Sequence, residues 1–174
     1  LGIKVGDFSN TQTRETGPYT ATGSSAAIAS NRLSYTLGLE GASMSIDTAC
    51  SSALVALHTA GHAVQSGLHH PAIVATVNAL LSPAGFIGTC SAHMLSPRGR
   101  CHTFDAAADG YTRAEGSCAL VLESLDASKC KGLASRSVAV NQDGRTANLT
   151  SPNGPAQQRV ITTAIHLACT QPAQ

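Results

Sequence analysis

The sequence predicts an α/β domain, and three observations lead to that prediction. Segments with the two-residue apolar period of strands alternate along the chain with segments that have the three- and four-residue period of helices. Apolar residues make up 43% of the chain but aromatic residues only 3%, which disfavours a β-sandwich. Cys50 lies between a strand pattern and a helix pattern, and a second strand pattern follows, as in a βαβ unit.

In the first quarter of the chain, the patterns predict two strands and one helix. Gly2–Phe8 alternates apolar and polar residues, which is typical of a strand. After a polar loop, a helix starts beyond Ser24 or Ser25, because serine is a common N-cap residue. It ends at Gly38, since glycine readily adopts the left-handed conformation that terminates a helix. Residues 44–46 alternate again and predict a short strand.

After the central cysteine, the patterns predict two helices and three strands. Small and apolar residues recur at helical steps over residues 54–68 and predict a helix of about four turns that ends near Gly67. Residues 81–113 are rich in turn-forming residues and predict loops. Pro155 can occupy the first position of a last helix that runs to about Ala168. Runs of apolar residues predict strands at Pro71–Ala79, Ser117–Leu125 and Ser135–Asn141.

The charge and cysteine content narrows the class of partner and the compartment. Charged residues are 12% of the chain and the net charge is +1, so there is no electrostatic case for a nucleic acid or an anionic membrane surface. No signal-peptide pattern and no run of about 18 apolar residues is visible, and a cytoplasmic location is expected. The six cysteines form no C-x-x-C pair, which favours free thiols over disulfides.

Cys50 lies where a nucleophile could be placed. The N–H groups at the start of a helix favour negative charge, and they can stabilise both a thiolate and the oxyanion that forms when it attacks a carbonyl. Small neighbours, Ala49 and Ser51 among them, leave the sulfur approachable. An inert buried thiol explains the same pattern equally well, and the local residues alone leave both interpretations open.

The histidines suggest a metal site only weakly. His58 and His62 lie four residues apart, a spacing that suits a metal, but no third ligand is evident beyond the adjacent His69 and His70. The sequence therefore favours ordinary surface or core-edge histidines over zinc ligands. A structural or surface role is also expected for His93, His102 and His166.

The segment around Cys50 resembles a known active site. D-T-A-C-S-S, Asp47–Ser52, is similar to the nucleophile segment of β-ketoacyl synthase (ketosynthase) domains, especially those of type I modular polyketide synthases. The resemblance covers nearly the whole chain in the same order. Its other motifs are Thr22–Tyr35, Val77–Pro83, Met94–Gly116 and Val140–Gln158.

The resemblance implies a fold, a reaction and partners. The fold is thiolase-like, with α-β-α-β-α layers, and residues 1–174 would be a partial ketosynthase domain, truncated at both ends and belonging mainly to the half that contains the nucleophile. Cys50 would accept an acyl group and pass it to a decarboxylating malonyl-type extender. No cofactor is expected to bind directly, because the substrates are phosphopantetheine-linked thioesters on an acyl carrier protein. A homodimer is expected for the full domain.

Two further expectations concern the rest of the site. The family's catalytic histidines lie in H-G-T-G-T and N-x-G-H segments, and no histidine of this chain matches either, so the chain alone is not expected to catalyse condensation. Asp105, Asp109 and Glu115 lie in family-like motifs. They could shape the acyl pocket or simply hold a loop that borders it, and the second interpretation is favoured.

Two alternatives to a polyketide ketosynthase stay open at this point. A fatty acid synthase ketosynthase has the same fold, although N-Q-D-G and S-P-N-G-P-A-Q-Q lean toward the polyketide side. A ketosynthase-like module without catalytic activity is the other alternative, and the presence of Cys50 counts against it.

Overall fold

The computed structural model describes residues 17–67, 71–124 and 133–170, which form α-helices and a small sheet. The sheet consists of two paired strands, β1 (Ala72–Asn78) and β2 (Gly116–Leu122). Within the described residues the elements are α1 (Thr20–Ser24), α2 (Ala26–Leu37), α3 (Ser52–Gln65), β1 (Ala72–Asn78), α4 (Pro83–Ser91), β2 (Gly116–Leu122) and α5 (Gly154–Thr170). The predicted strand Gly2–Phe8 lies outside the described residues.

Helix α2 begins and ends as its sequence predicts. Ser25 is the N-cap residue, with extended backbone (φ −75°, ψ 126°). Gly38 has left-handed backbone (φ 66°), and its N–H donates to the Ser34 carbonyl. Because a side chain with a β-carbon is strained in that conformation, glycine is the favoured residue there. The predictions of α3, β1, β2 and α5 are also confirmed, with ends that differ by a few residues.

Two predicted strands are wrong. Residues 44–46 and Ser135–Asn141 form no strand in the structure. Polar groups of the second segment bond to helices instead: Ser137 Oγ donates to the Ala164 carbonyl at 2.6 Å. Asn141 Nδ2 likewise donates to the Ala156 carbonyl at 2.8 Å. A short run of apolar residues therefore does not distinguish a strand from an extended segment that contacts helix α5.

Helix α4 differs from the sequence prediction, which assigns its segment to a loop. Ser82 is its N-cap residue and its Oγ accepts a hydrogen bond from Ala84 N at 3.2 Å, while Pro83 takes the first helical position. Serine followed by proline is a recognised helix start. Gly85 and Gly88 lower the helix propensity of this segment, and that masks the signal.

The described residues divide into two compact units. The first contains residues 17–53 and 75–120, and the second contains residues 54–67, 71–74, 121–124 and 133–170. The buried hydrophobic side chains lie in the second unit: Ala56, Val64, Val74 and Ala156. The buried polar side chains lie in the first unit: Ser30, Ser52 and Ser96. Among the described helices, none has the length and hydrophobicity needed to cross a membrane.

Candidate active site around Cys50

Cys50 lies in a short turn that leads directly into helix α3. The turn is a 3₁₀-helix, Ala49–Ser51, and α3 begins at the next residue. Ala49 has a positive φ of 57°, a conformation that costs a residue other than glycine about 1–2 kcal/mol. Strained backbone of this kind is found preferentially at functional sites. The Cys50 side chain is exposed, so the interpretation as a buried thiol does not fit the structure.

Side chains on both sides of the turn hold its backbone. Asp47 Oδ1 accepts a hydrogen bond from Ala49 N at 3.0 Å, and Ser51 Oγ donates to the Thr48 carbonyl at 2.8 Å. Ser52 Oγ makes two contacts: it accepts from Thr48 N at 2.9 Å and donates to the Ala49 carbonyl at 2.7 Å. These bonds fix the peptide groups that precede Cys50, which explains how the strained conformation of Ala49 persists.

The groups of Cys50 itself remain available. Within residues 17–67, 71–124 and 133–170, no acceptor is hydrogen-bonded to Cys50 N–H and no side chain is bonded to its sulfur. An exposed thiol beside its own unengaged N–H, at the start of a helix, can attack a carbonyl carbon and stabilise the oxyanion that forms. The arrangement therefore suits acyl transfer.

The histidines of helix α3, His58 and His62, contact each other and a backbone carbonyl. The His58 and His62 rings contact each other edge to face, with centroids 4.5 Å apart. His58 Nδ1 lies 3.2 Å from the Val138 carbonyl oxygen. In the part of the chain that the structure describes, no three His, Cys, Asp or Glu side chains cluster in a way that could hold a metal ion. His69 and His70 lie outside the described residues.

The acids of the family-like motifs hold loops. Asp109 accepts from Ser96 Oγ at 2.6 Å and from Arg98 Nε at 2.8 Å. Two hydrogen bonds hold the pKa of Asp109 below its usual range: the one from Ser96 has the larger effect, and the one from Arg98 the smaller. Asp105 Oδ1 accepts from Ala107 N at 2.8 Å, and Glu115 Oε1 accepts from Leu80 N at 2.8 Å. These contacts support the interpretation that the acids hold the loop.

Residues 94–111 form a closed loop whose ends are paired. Ser96 N donates to the Tyr111 carbonyl at 3.0 Å, and Tyr111 N donates to the Met94 carbonyl at 3.1 Å. Gly110 makes this close approach possible: a β-carbon on it would lie 2.4 Å from Ser96 N, and its φ is 142°. We call this segment the 94–111 loop.

Cys101, in the 94–111 loop, is a second exposed thiol that the sequence did not single out. Its sulfur accepts a hydrogen bond from Thr112 N at 3.4 Å and lies 3.4 Å from Thr112 Oγ1. The side-chain contact with Thr112, and then the backbone one, lower the pKa of Cys101. Its partner is eleven residues away in sequence, so no local pattern predicts the contact. The five cysteines that the structure describes are free thiols, as predicted.

The chain is similar to polyketide synthases along most of its length. It is 48% identical over 169 residues to tenellin synthetase of Beauveria bassiana, which covers 92% of this chain and 4% of that protein. It is 42% identical over 160 residues to a mycocerosic acid synthase-like polyketide synthase of Mycolicibacterium smegmatis, which covers 90% of this chain and 8% of that protein. The chain thus spans less than a tenth of the length of these relatives.

Solved structures show the same relationship in three dimensions. The ketosynthase from module 6 of the bacillaene synthase of Bacillus subtilis 168 superposes with a TM-score of 0.80 at 32% identity. That match covers 97% of this chain and 29% of the solved chain. An oxazolomycin ketosynthase domain of Streptomyces albus JA3453 gives a TM-score of 0.79 at 37% identity, over 86% of this chain and 28% of the solved chain. The predicted thiolase-like α/β fold class is therefore confirmed.

A family model gives the most direct assignment. The model of the β-ketoacyl synthase N-terminal domain matches residues 1–128, which is well over half of the chain. The matched range contains the turn around Cys50 and the 94–111 loop. The chain belongs to the β-ketoacyl synthase family.

Proposed function

We propose that residues 1–174 are part of one ketosynthase domain of a polyketide synthase, and that Cys50 is the nucleophile that carries the growing chain. An acyl carrier protein presents the acyl group as a phosphopantetheine thioester. The Cys50 thiolate attacks the thioester carbonyl, a new C–S bond forms, and the phosphopantetheine thiolate leaves. The acyl group is then bound to Cys50 as a thioester.

The second half of the reaction forms the carbon–carbon bond. A malonyl-type thioester on the carrier protein loses CO₂, and the resulting carbanion attacks the acyl-Cys50 carbonyl. The C–S bond to Cys50 breaks, the thiolate is regenerated, and a β-ketoacyl thioester remains on the carrier protein. The histidines that assist this step in the family match no residue of this sequence, and we propose that they belong to other parts of the full-length protein.

The position of Cys50 carries the proposal. Its thiol is exposed at the start of helix α3, and its N–H has no hydrogen-bond acceptor within the described residues. The backbone just before it is strained and is fixed by side-chain hydrogen bonds. A nucleophile needs the thiol to stay reduced, and the free state of the five described cysteines fits a protein of the cytoplasm. We also propose that the full domain acts as a homodimer.

The relatives favour polyketide synthesis over the alternatives. They include a polyketide synthase by name, and the solved neighbours are ketosynthases of bacillaene and oxazolomycin. A fatty acid synthase ketosynthase is therefore the less favoured assignment for the same fold. The exposed Cys50 likewise disfavours a module without catalytic activity.

A condensation assay tests the proposal. The full-length protein is incubated with an acyl thioester and a malonyl carrier-protein thioester, and the β-ketoacyl product is measured by mass spectrometry. We expect product with the wild-type protein and none above background with Cys50→Ala. Equal product from Cys50→Ala would refute the role of Cys50.

A further inference from the structure

We infer that Ser52 is a positioning residue for acyl transfer, because it fixes the peptide group between Ala49 and Cys50. This inference rests on the proposed function of Cys50. Ser52 differs from its neighbours in burial: its relative exposure is 5%, whereas Ala49, Cys50 and Ser51 are exposed. A buried hydroxyl has to be hydrogen-bonded, and both of its bonds go to the turn that carries the nucleophile.

The contacts of Ser52 converge on one carbonyl. The Ala49 carbonyl oxygen accepts a hydrogen bond from Ser52 Oγ at 2.7 Å, and it also accepts one from the Ser52 backbone N–H. The same hydroxyl accepts from Thr48 N at 2.9 Å. The strained residue Ala49 is therefore bridged on both sides by a single side chain.

Fixing this carbonyl also fixes the direction of the Cys50 N–H. The Ala49 carbonyl and the Cys50 N–H belong to one planar peptide group, and in a trans peptide they point in opposite directions. Because the carbonyl points toward Ser52 Oγ, the Cys50 N–H points away from it. That N–H has no acceptor among the described residues, so it is available to an incoming group.

The strain of Ala49 explains why such a contact is needed. The φ of Ala49 is 57°, and its conformational energy would fall if φ returned to a negative value. That change would rotate the peptide group that follows Ala49. The hydroxyl of Ser52 opposes the rotation through both of its bonds. Asp47 supports the same turn through Ala49 N but does not contact the carbonyl.

Two reactions of the same sulfur depend differently on this N–H. When the Cys50 thiolate attacks a thioester, the carbonyl oxygen becomes an oxyanion, and an N–H in the right direction stabilises it. When the same thiolate displaces iodide from iodoacetamide, an S–C bond forms, iodide leaves, and no oxyanion appears. The loss of Ser52 should therefore slow acylation and leave alkylation nearly unchanged.

The test measures both reactions at Cys50 in the full-length protein. Acylation by an acyl-phosphopantetheine thioester and alkylation by iodoacetamide are each followed by mass spectrometry of the Cys50 peptide. For Ser52→Ala we expect acylation to slow by about tenfold or more. Removing one oxyanion donor altogether lowers kcat by a factor of about 10²–10³, and a donor that is only misdirected should lower the rate by a smaller factor. We expect alkylation to change by less than about twofold.

Two further variants serve as controls. Ser66 lies just beyond the other end of helix α3, and its Oγ donates to the Ala63 carbonyl at 3.0 Å, three residues back, as Ser52 does to Ala49. Ser66→Ala should leave both rates unchanged. Ser52→Thr keeps the hydroxyl and should acylate within about threefold of wild type, which tests the role of the hydroxyl even if Ser52→Ala does not fold.

Three results would overturn the inference. One is equal acylation of wild type and Ser52→Ala, and another is an equal fall in acylation and alkylation, since that would indicate a general loss of structure. The third is a folded Ser52→Thr that acylates as slowly as Ser52→Ala. A wild-type protein with no acyl group on Cys50 would instead overturn the proposed function, and the role of Ser52 with it.

Discussion

Two segments of the first compact unit, the turn around Cys50 and the 94–111 loop, both contain strained backbone beside a cysteine, but their hydrogen bonds differ. Each contains at least one residue other than glycine at positive φ, Ala49 in the turn and His102 and Phe104 in the loop, and each contains an exposed cysteine. Around Cys50 most of the side-chain hydrogen bonds go to the backbone, and within the described residues the sulfur has none. In the loop, the sulfur of Cys101 is itself bonded to Thr112.

The difference shows that the ionisation of a thiol and its position in the fold are separate properties. The contacts with Thr112 lower the pKa of Cys101, yet this residue does not lie at the start of a helix. Cys50 lies at a helix start beside a strained, fixed peptide group. We propose that position determines which thiol takes the acyl group, and the following predictions test this from the largest expected effect to the smallest.

The largest effect on the rate of acyl transfer is expected from removing the Cys50 thiol, and removing the Cys101 thiol is the control. Cys50→Ala should lower the rate of acyl transfer from a phosphopantetheine thioester by about 1,000-fold or more, as the loss of a nucleophile does in other enzymes. Cys101→Ala should retain the rate within about twofold. Acyl incorporation, measured on the intact protein by mass spectrometry, checks both. A large loss with Cys101→Ala would contradict the comparison.

A large effect on stability is expected at the closure of the 94–111 loop. A β-carbon at Gly110 would lie 2.4 Å from Ser96 N and 2.5 Å from the Leu95 carbonyl carbon. Gly110→Ala should therefore lower the free energy of unfolding by about 3 kcal/mol or more. Gly99 is the matched control: its φ is +65°, but nothing lies within 4 Å of its β-carbon position.

Gly99→Ala should cost only the strain of the left-handed conformation, about 1–2 kcal/mol. Urea denaturation of both variants measures the difference. Equal losses for the two variants would show that the loop is not closed through Gly110.

A smaller effect that depends on pH is expected from Asp109. Hydrogen bonds from Ser96 and then Arg98 lower its pKa in the folded chain. The ionised carboxylate therefore stabilises the fold above the ordinary carboxyl pKa, and this contribution is lost as the pH falls through the lowered pKa of the folded state. Asp109→Asn should be less stable than wild type near about pH 7, and the difference between their free energies of unfolding should shrink as the pH is lowered.

Asp105→Asn is the control for this prediction. Asp105 bonds to the Ala107 N–H and lies 3.8 Å from His102, whereas Asp109 is paired with an arginine. Denaturation at neutral and acid pH compares the two variants. A gap in stability between wild type and Asp109→Asn that widens at low pH would contradict a lowered pKa of Asp109 in the folded chain.

The smallest effect is expected on the second thiol. Thr112→Val removes the side-chain contact that contributes most to lowering the pKa of Cys101. The pH profile of Cys101 alkylation should move to higher pH, with the alkylation of Cys50 in the same samples as internal reference. Thr103→Val, an exposed change in the same loop, should leave the profile in place. No movement with Thr112→Val would remove Thr112 as the cause.

Local signals predict much of the fold and fail where the contacts are distant. Ser25 and Gly38 delimit helix α2 because capping depends on only a few neighbouring residues. Residues 135–141 are predicted as a strand because a short apolar run does not distinguish pairing with a strand from contact with a helix. Helix α4 is missed because its glycines outweigh the Ser82–Pro83 start.

The same limit applies to the site. The place of Cys50 at a helix start is predictable from the helix pattern that follows it, although the strand predicted just before it, at residues 44–46, is absent from the structure. Ser52 does not stand out in the sequence, although its partners lie within four residues, because its two hydrogen bonds depend on the strained φ of Ala49. The contact of Cys101 with Thr112 depends on the closure of the 94–111 loop through Leu95 and Tyr111, which no local pattern shows.

The most direct test is to find which cysteine is acylated when Cys50 and Cys101 are both present. The wild-type full-length protein is incubated with an acyl-phosphopantetheine thioester and digested, and the acylated peptide is sequenced by tandem mass spectrometry. We predict that the acyl group is on Cys50 and that Cys101 stays free, although hydrogen bonds lower the pKa of Cys101. An acyl group found mainly on Cys101, or spread evenly over the exposed cysteines, would contradict the assignment of Cys50 as the nucleophile.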